Sequence, residues 1–275
     1  MIVLVTGATG FVGRHVVAAL VAKGHEVTAM ARTTAKARAL PWFGQVRFVE
    51  GDAYRDFERL LPASPRPEVF VHLAWPGLPN YKDAFHLEEN LPAELRMLRH
   101  VVSSGVPRIV VAGTCLEYGM KFGPLAASDE TRPVTPYGLA KDTLRKALEM
   151  LQSATPFTLQ WVRLFYMYGP GQNPGSLLSQ LDRAIDEGRA QFDMSPGDQL
   201  RDYLPIAEVA SQFVEVIEHP EIRGVVNCCS GRPVSVRELV ERRCAERGSS
   251  IRLNRGHYPY PDYEPLAFWG VPSLR

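Results

Sequence analysis

MIVLVTGATGFVG, residues 1–13, joins an apolar run of strand type to the start of a helical pattern through three glycines spaced three apart. Ile2 to Val5 reads as a strand buried on both faces, and Val12 to Ala22 carries the period of a helix. Between them Gly7 permits a tight turn, Gly10 lets the backbone approach a pyrophosphate, and Gly13 lets the helix pack on the strand. The unpaired N–H groups of the helix start face the same point, which suits phosphate. A dinucleotide site is predicted at the end of the first strand.

Further along, EVTAMA (Glu26 to Ala31), VRFVE (Val46 to Glu50), VFVHLA (Val69 to Ala74), RIVVAG (Arg108 to Gly113) and Leu159 to Phe165 read as buried strands. Phe85 to Ser104 and Pro136 to Gln152 read as helices set among them. Alternation of this kind implies βαβ crossovers and a doubly wound, Rossmann-type α/β fold with a parallel sheet. The character changes at YGPGQNPGS (Tyr168 to Ser176), which is rich in proline and glycine, and one more strand-like run follows at Val225 to Cys229. The expected organisation is a dinucleotide-binding domain over residues 1–165 and a smaller substrate-binding lobe over 166–275, partly interleaved with the sheet.

Composition narrows the partners. The chain of 275 residues is 45% hydrophobic and 22% charged, and its 31 basic and 30 acidic residues leave a net charge of +1. Nothing in that balance calls for nucleic acid or an anionic membrane surface, so small molecules are the expected partners. Four cysteines (Cys115, Cys228, Cys229, Cys244) lack CxxC spacing and no histidine cluster accompanies them, so no metal is expected and reduced thiols in a cytoplasm are the simplest reading. MIVLVTG turns to glycine too early for a signal peptide, and no apolar run reaches the roughly eighteen residues of a membrane span. The fold is expected to begin at Met1.

An NAD site ordinarily has Asp or Glu at the end of the second strand to hold the ribose hydroxyls, whereas TAMARTT places Arg32 there. An arginine pairs with a 2′-phosphate, so NADPH is expected in preference to NAD. Asp52, after the third strand, suits either the adenine amino group or the capping of its own turn.

In TPYGLAKD, Thr135 can cap a helix whose first residue is Pro136, which puts Tyr137 and Lys141 one turn apart on one face. A tyrosine with an ordinary pKa of about 10 is a poor proton donor and acceptor at neutral pH. A nearby ammonium and a positive nicotinamide ring are expected to lower that value and make Tyr137 a usable acid.

Seven ordered motifs then resemble the extended short-chain dehydrogenase/reductases that act on nucleotide sugars, the NAD-dependent epimerase/dehydratase family. They are TGATGFVG, GD at Gly51 and Asp52, VHLA from Val71, GTCLEYG from Gly113, YGLAK from Tyr137, RLFYMYGPG from Arg163 and RDYLPIAEVA from Arg201. The resemblance implies that Tyr137 transfers a proton, that Lys141 also binds the nicotinamide ribose, and that Thr114 hydrogen-bonds the reacting oxygen. It also implies cofactor contacts from Thr9, Phe11, Val12, Ala53, Leu73, Ala74, Trp75, Leu164 and Phe165, together with the residues above. Arg201 matches the family position on the substrate pyrophosphate, and Tyr166 stands where an asparagine usually meets the sugar nucleotide. Tyr81 is a further expected substrate contact.

Departures from the family pattern narrow the chemistry. Members that dehydrate sugars carry Asp and Glu after the Thr114 position, and Cys115 and Leu116 stand there instead, which argues against dehydration. The acid of NAD-retaining epimerases is missing from the second strand. The chain looks most like the branch that reduces nucleoside-diphosphate 4-keto-6-deoxyhexoses at C4 in deoxysugar biosynthesis. An NAD-dependent nucleotide-sugar 4-epimerase and a non-catalytic dinucleotide sensor stay open as other readings. The resemblance further implies a homodimer built on the helices at Phe85 to Ser104 and Pro136 to Gln152.

Overall fold

A computed structural model describes residues 1–57 and 66–274. Its central layer is a seven-stranded parallel sheet made of β1 (Ile2–Thr6), β2 (Glu26–Ala31), β3 (Arg47–Glu50), β4 (Val69–His72), β5 (Arg108–Thr114), β6 (Thr158–Leu164) and β7 (Gly224–Cys228). The spatial order is β3-β2-β1-β4-β5-β6-β7. The order reverses between β1 and β4, and a crevice forms outside the carboxyl ends of those strands.

Helices α1 (Phe11–Ala22), α2 (Thr34–Arg38), α3 (Leu91–Ser103), α4 (Pro136–Ala154), α5 (Leu177–Asp186), α6 (Ile206–Glu218) and α7 (Val236–Glu246) complete the fold. On one face of the sheet Val16, Val17 and Leu20 of α1 and Phe213 and Ile217 of α6 pack against Val3, Val5 and Val110. On the other, Met97, Leu98 and Val101 of α3 and Leu144 and Leu148 of α4 pack against Leu4, Phe70, Ile109 and Trp161. Each such side chain, fully buried, contributes about 1.5–3 kcal/mol, and the two apolar layers fix the sheet from both sides.

The expected helix at Phe85 to Ser104 is two pieces: a π-helical turn over His86–Asn90, then α3. Pro92 stands in the first turn of α3 and cannot donate the backbone bond that would continue α winding from below. The last expected strand, Val225 to Cys229, is β7 and pairs in parallel with β6 at the sheet edge. The chain therefore returns to the central layer through α6 and β7 after residue 166. A separate apolar cluster of Leu181, Phe192, Met194, Leu239 and Val240 joins α5 and α7 to the parallel strand pair Gln191–Met194 and Arg252–Arg255. No helix among the described residues is long and apolar enough to cross a membrane.

Candidate active site

At the end of β1 the glycine turn has no spare room. Gly7 has φ +68°, and a Cβ there would lie 2.7 Å from the Ala74 nitrogen, while one on Gly13 would lie 2.1 Å from the Gly7 carbonyl. Helix α1 starts behind Gly10 with no side-chain cap and no acid in its first turn. The N–H groups of Phe11 and Val12 precede the first bond of the helix, from the Arg14 N–H to the Gly10 carbonyl at 3.0 Å. Thr9 accepts from the Arg14 guanidinium at 3.2 Å through its carbonyl. Leu73 donates to Thr6 at 3.3 Å. Ala74 accepts from the Tyr54 hydroxyl at 3.2 Å, and Ala53 packs with Met30 and Ala74. The expected phosphate and adenine residues are thus brought to one strand edge.

Arg32 is exposed just beyond β2. The carboxylate next to that strand end, Glu50 opposite Ala31, is engaged by the Thr34 N–H at 2.9 Å and by its hydroxyl. Asp52 caps its own turn, with Oδ1 accepting from the Tyr54 N–H at 2.8 Å, which leaves one oxygen for any adenine contact. A crowded glycine cradle, an uncapped helix start and a cation past β2 fit a nicotinamide dinucleotide.

Thr135 caps α4 by accepting the Gly138 N–H at 3.1 Å, with Pro136 as first residue. A Cβ on Gly138 would come 2.7 Å from the Leu116 carbonyl, so the helix start sits directly on the 3₁₀ turn Cys115–Tyr118. That contact sets Tyr137 close to Thr114, near enough for their side chains to interact. The Tyr137 ring lies 5.7 Å from Trp75, 5.5 Å from Tyr81 and 5.2 Å from His86, centroid to centroid. Lys141 donates to the Ala112 carbonyl at 2.9 Å and stands 3.9 Å from the Trp75 ring centroid. Thr114, Tyr137 and Lys141 are all buried.

That burial acts on Tyr137 in the sense opposite to the charges expected to lower it. The Tyr137 phenol is pushed well above its ordinary range, first by desolvation, then by the neighbouring Tyr81, Glu117 and Cys115, with the Thr114 hydrogen bond opposing. Aromatic walls strip water from the phenolate, and the Lys141 ammonium is directed at a carbonyl and an indole face. Lys141 is lowered to about 8 by burial, opposed by Glu94 and Glu117. Burial also lowers His86, whose Nδ1 accepts from the Trp75 indole at 3.0 Å while Nε2 faces the Asn80 carbonyl at 3.0 Å. This pairing assigns the ring proton to Nε2.

On the opposite wall Arg201 is buried rather than open. Its Nε and Nη2 donate to Glu264 at 3.3 and 3.0 Å, and its Nη1 donates to the Leu200 and Leu266 carbonyls at 2.8 and 3.1 Å. A guanidinium has five N–H donors, so one remains for a ligand while Glu264 stays in place. Arg201, expected on the substrate pyrophosphate, is thus paired with Glu264 across the chain. Tyr166 lies with its ring 5.7 Å from the Arg201 guanidinium, and its buried hydroxyl has no hydrogen-bond partner of good geometry. Tyr81 lies between Tyr137 and Tyr263, tilted to both rings. Phe165 is buried against Phe268, and Leu164 packs into the core of the α1 face.

Residues 3–229 match the model of the NAD dependent epimerase/dehydratase family. The chain belongs to that family. A dTDP-6-deoxy-L-talose 4-dehydrogenase (NAD(+)) of Aggregatibacter actinomycetemcomitans is 33% identical over 98% of this chain and 100% of its own length. A dTDP-6-deoxy-L-talose 4-dehydrogenase (NAD(P)(+)) of Kitasatospora kifunensis is 30% identical over 94% of this chain and 83% of its own. Among solved structures, MoeE5 in complex with UDP-glucuronic acid and NAD superposes with a TM-score of 0.84 at 28% identity, over 99% of this chain and 90% of that one.

The epimerase/dehydratase assignment makes the chain an NAD(P)-dependent enzyme of oxidoreductase type. In this member four site-wall residues escaped sequence reasoning: Glu94, Glu117, His86 and Glu264. Glu117 had a signal, since Thr114 and Glu117 stand at the spacing of a capping box and do form one. Glu264 had none, because it meets Arg201 across 63 positions of chain.

Proposed function

We propose that this enzyme reduces a nucleoside-diphosphate 4-keto-6-deoxyhexose at C4 with NADPH, the reverse of a 4-dehydrogenation. The observation that carries the reading is Thr114, Tyr137 and Lys141 buried together at one strand end, with Cys115 and Leu116 in place of an acid and base pair. The two relatives named for 4-dehydrogenation of a dTDP-6-deoxyhexose support the substrate class. Arg32 at the end of β2 supports NADPH.

The nicotinamide, when bound, supplies the hydride for the carbonyl carbon. The raised phenol keeps Tyr137 protonated at neutral pH, so its O–H is available to protonate the developing alkoxide. Thr114 Oγ1 already accepts from the Leu116 N–H at 3.2 Å, which leaves its own hydrogen to donate to the same oxygen. The positive charge of Lys141 offsets the phenolate that Tyr137 becomes and helps hold the cofactor ribose. The Arg201 guanidinium, with Glu264 displaced, orients the substrate diphosphate, and Tyr81 and Tyr166 face the sugar. The proposal includes a homodimer contact on α3 and α4, and the 76% exposed Met150 of α4 supports it.

The test is a panel of thymidine-, uridine-, cytidine- and guanosine-linked 4-keto-6-deoxyhexoses with NADPH or NADH, with the product identified by NMR. The expected result is C4 reduction with higher kcat/KM for NADPH. Turnover of a 4-hydroxy sugar with no added cofactor, by protein purified with NAD bound, would establish an epimerase instead.

A further inference from the structure

Behind Thr114 lies a carboxylate that touches none of the proposed reacting atoms. Glu117 is fully buried and has four partners within reach. Its Oε1 accepts the Thr114 N–H at 2.8 Å and the Trp161 indole N–H at 2.9 Å, and Oε2 accepts from Arg163 Nε at 2.7 Å, with Arg145 Nε at 3.9 Å. The strand end is shaped around it. A Cβ on Gly113 would stand 2.2 Å from the Trp161 indole nitrogen and 2.7 Å from Glu117 Oε1. A buried ion pair of this kind adds little stability over apolar residues of the same volume, which points to a task other than stability.

We propose that Glu117 is a positioning residue that aims the Thr114 hydroxyl. A threonine side chain has three staggered settings of χ1. Here the Leu116 N–H holds Oγ1 from one side while Glu117 grips the Thr114 N–H, so the strand end and the 3₁₀ turn close on each other. The hydroxyl hydrogen is thereby turned from Leu116 toward Tyr137 and the carbonyl oxygen between them. The inference rests on the catalytic reading of Thr114 given above.

The experiment is a double-mutant cycle between Glu117→Gln and Thr114→Val, measured as kcat and KM on the full enzyme with folding checked by circular dichroism. Misaiming one group on the reacting oxygen should lower kcat on the order of 10- to 100-fold. KM for cofactor and for nucleotide sugar should stay within about twofold, since neither touches Glu117. In the Thr114→Val background the same Glu117 change should lower kcat by less than about twofold more, because its target is gone. Glu117→Asp provides a second variant: it keeps the charge opposite Arg163 but is too short to reach Arg163 and the Thr114 N–H together. It should show a similar loss of kcat while circular dichroism at the assay temperature still reports a folded protein. Wild-type kcat in both Glu117 variants, a change confined to KM, or a full multiplicative loss in the Thr114→Val background would each overturn the inference. Unchanged kcat in Thr114→Val alone would overturn the catalytic reading of Thr114 itself, and this inference with it.

Discussion

Glu117 meets Arg163 at 2.7 Å inside the central sheet, where Arg163 lies directly opposite Gly113 on the neighbouring strand. Glu264 meets Arg201 at 3.0 Å, but it comes from a segment that follows the strand Arg252–Arg255 and is tied down at its surface by Lys82 and Asp262. Glu117, Arg163 and Arg201 are buried and Glu264 is partly so, and the surroundings of the two pairs differ. Around Glu117 the Thr114, Trp161 and Arg163 donors all converge on one carboxylate. Around Glu264 the Tyr166 hydroxyl is left without a partner of good geometry, and the arginine keeps one donor in reserve. The first arrangement is rigid and suits groups that must be in place before charge develops. The second suits an exchange of anions, with a diphosphate taking the place of a carboxylate.

If the sheet side does chemistry and the opposite wall does binding, mutations should divide between kcat and KM. The largest effect belongs to Tyr137→Phe, which should lower kcat by roughly two to four orders of magnitude while cofactor affinity, read by fluorescence titration, hardly moves. A variant retaining a tenth of wild-type turnover would remove Tyr137 from the reaction. Next, Arg201→Ala should raise KM for the nucleotide sugar about 30-fold, corresponding to about 2 kcal/mol for a charge-assisted contact, at nearly constant kcat. A fall in kcat with KM unchanged would erase the proposed division between the two walls.

Outside both pairs, Arg32→Asp should weaken NADPH about tenfold or more relative to NADH, as a cation facing a 2′-phosphate is replaced by a repelling acid. Michaelis constants for both cofactors, measured on the variant and the parent, decide it. Equal constants in the parent would leave Arg32 without a part in cofactor choice.

The smallest expected effect is on stability. Burial lowers Lys141 from 10.5 to about 8. Between those values the unfolded chain binds a proton that the folded chain does not, so stability rises with pH through that window, and below it the folded state bears the full cost of the buried charge. Lys141→Met should therefore abolish activity yet stabilise the protein by about 1 kcal/mol near pH 7, after the lost contact with the Ala112 carbonyl is allowed for. Urea unfolding of both proteins at pH 7 and near pH 10 should show the advantage shrinking at the higher pH.

Much of the molecule could be read locally. Glu26 to Ala31 is the strand expected, and Thr135, Pro136 and Tyr137 open their helix as their residue types require. Expected strands end within about two residues of those observed; Val69 to Ala74 stops at His72 because Leu73 and Ala74 are drawn against the Gly7 turn. The Thr114 to Glu117 capping box is also local, four consecutive residues, but it sits at a strand end, where that spacing does not by itself announce a helix.

By itself, then, the amino-acid order determined the alternating strands and helices, the glycine cradle, the helix that presents Tyr137 and Lys141, and the absence of the dehydratase acids after Thr114. Each depends on backbone preferences and spacings within a few residues, which survive wherever the segment is placed. Tertiary structure alone decided that Arg201 is paired with Glu264, that Glu117 gathers Thr114, Trp161 and Arg163, and that burial raises the Tyr137 phenol. Those outcomes depend on which groups lose water and which charges come together from distant parts of the chain. Desolvation and pairing are set by packing, and no local spacing encodes them.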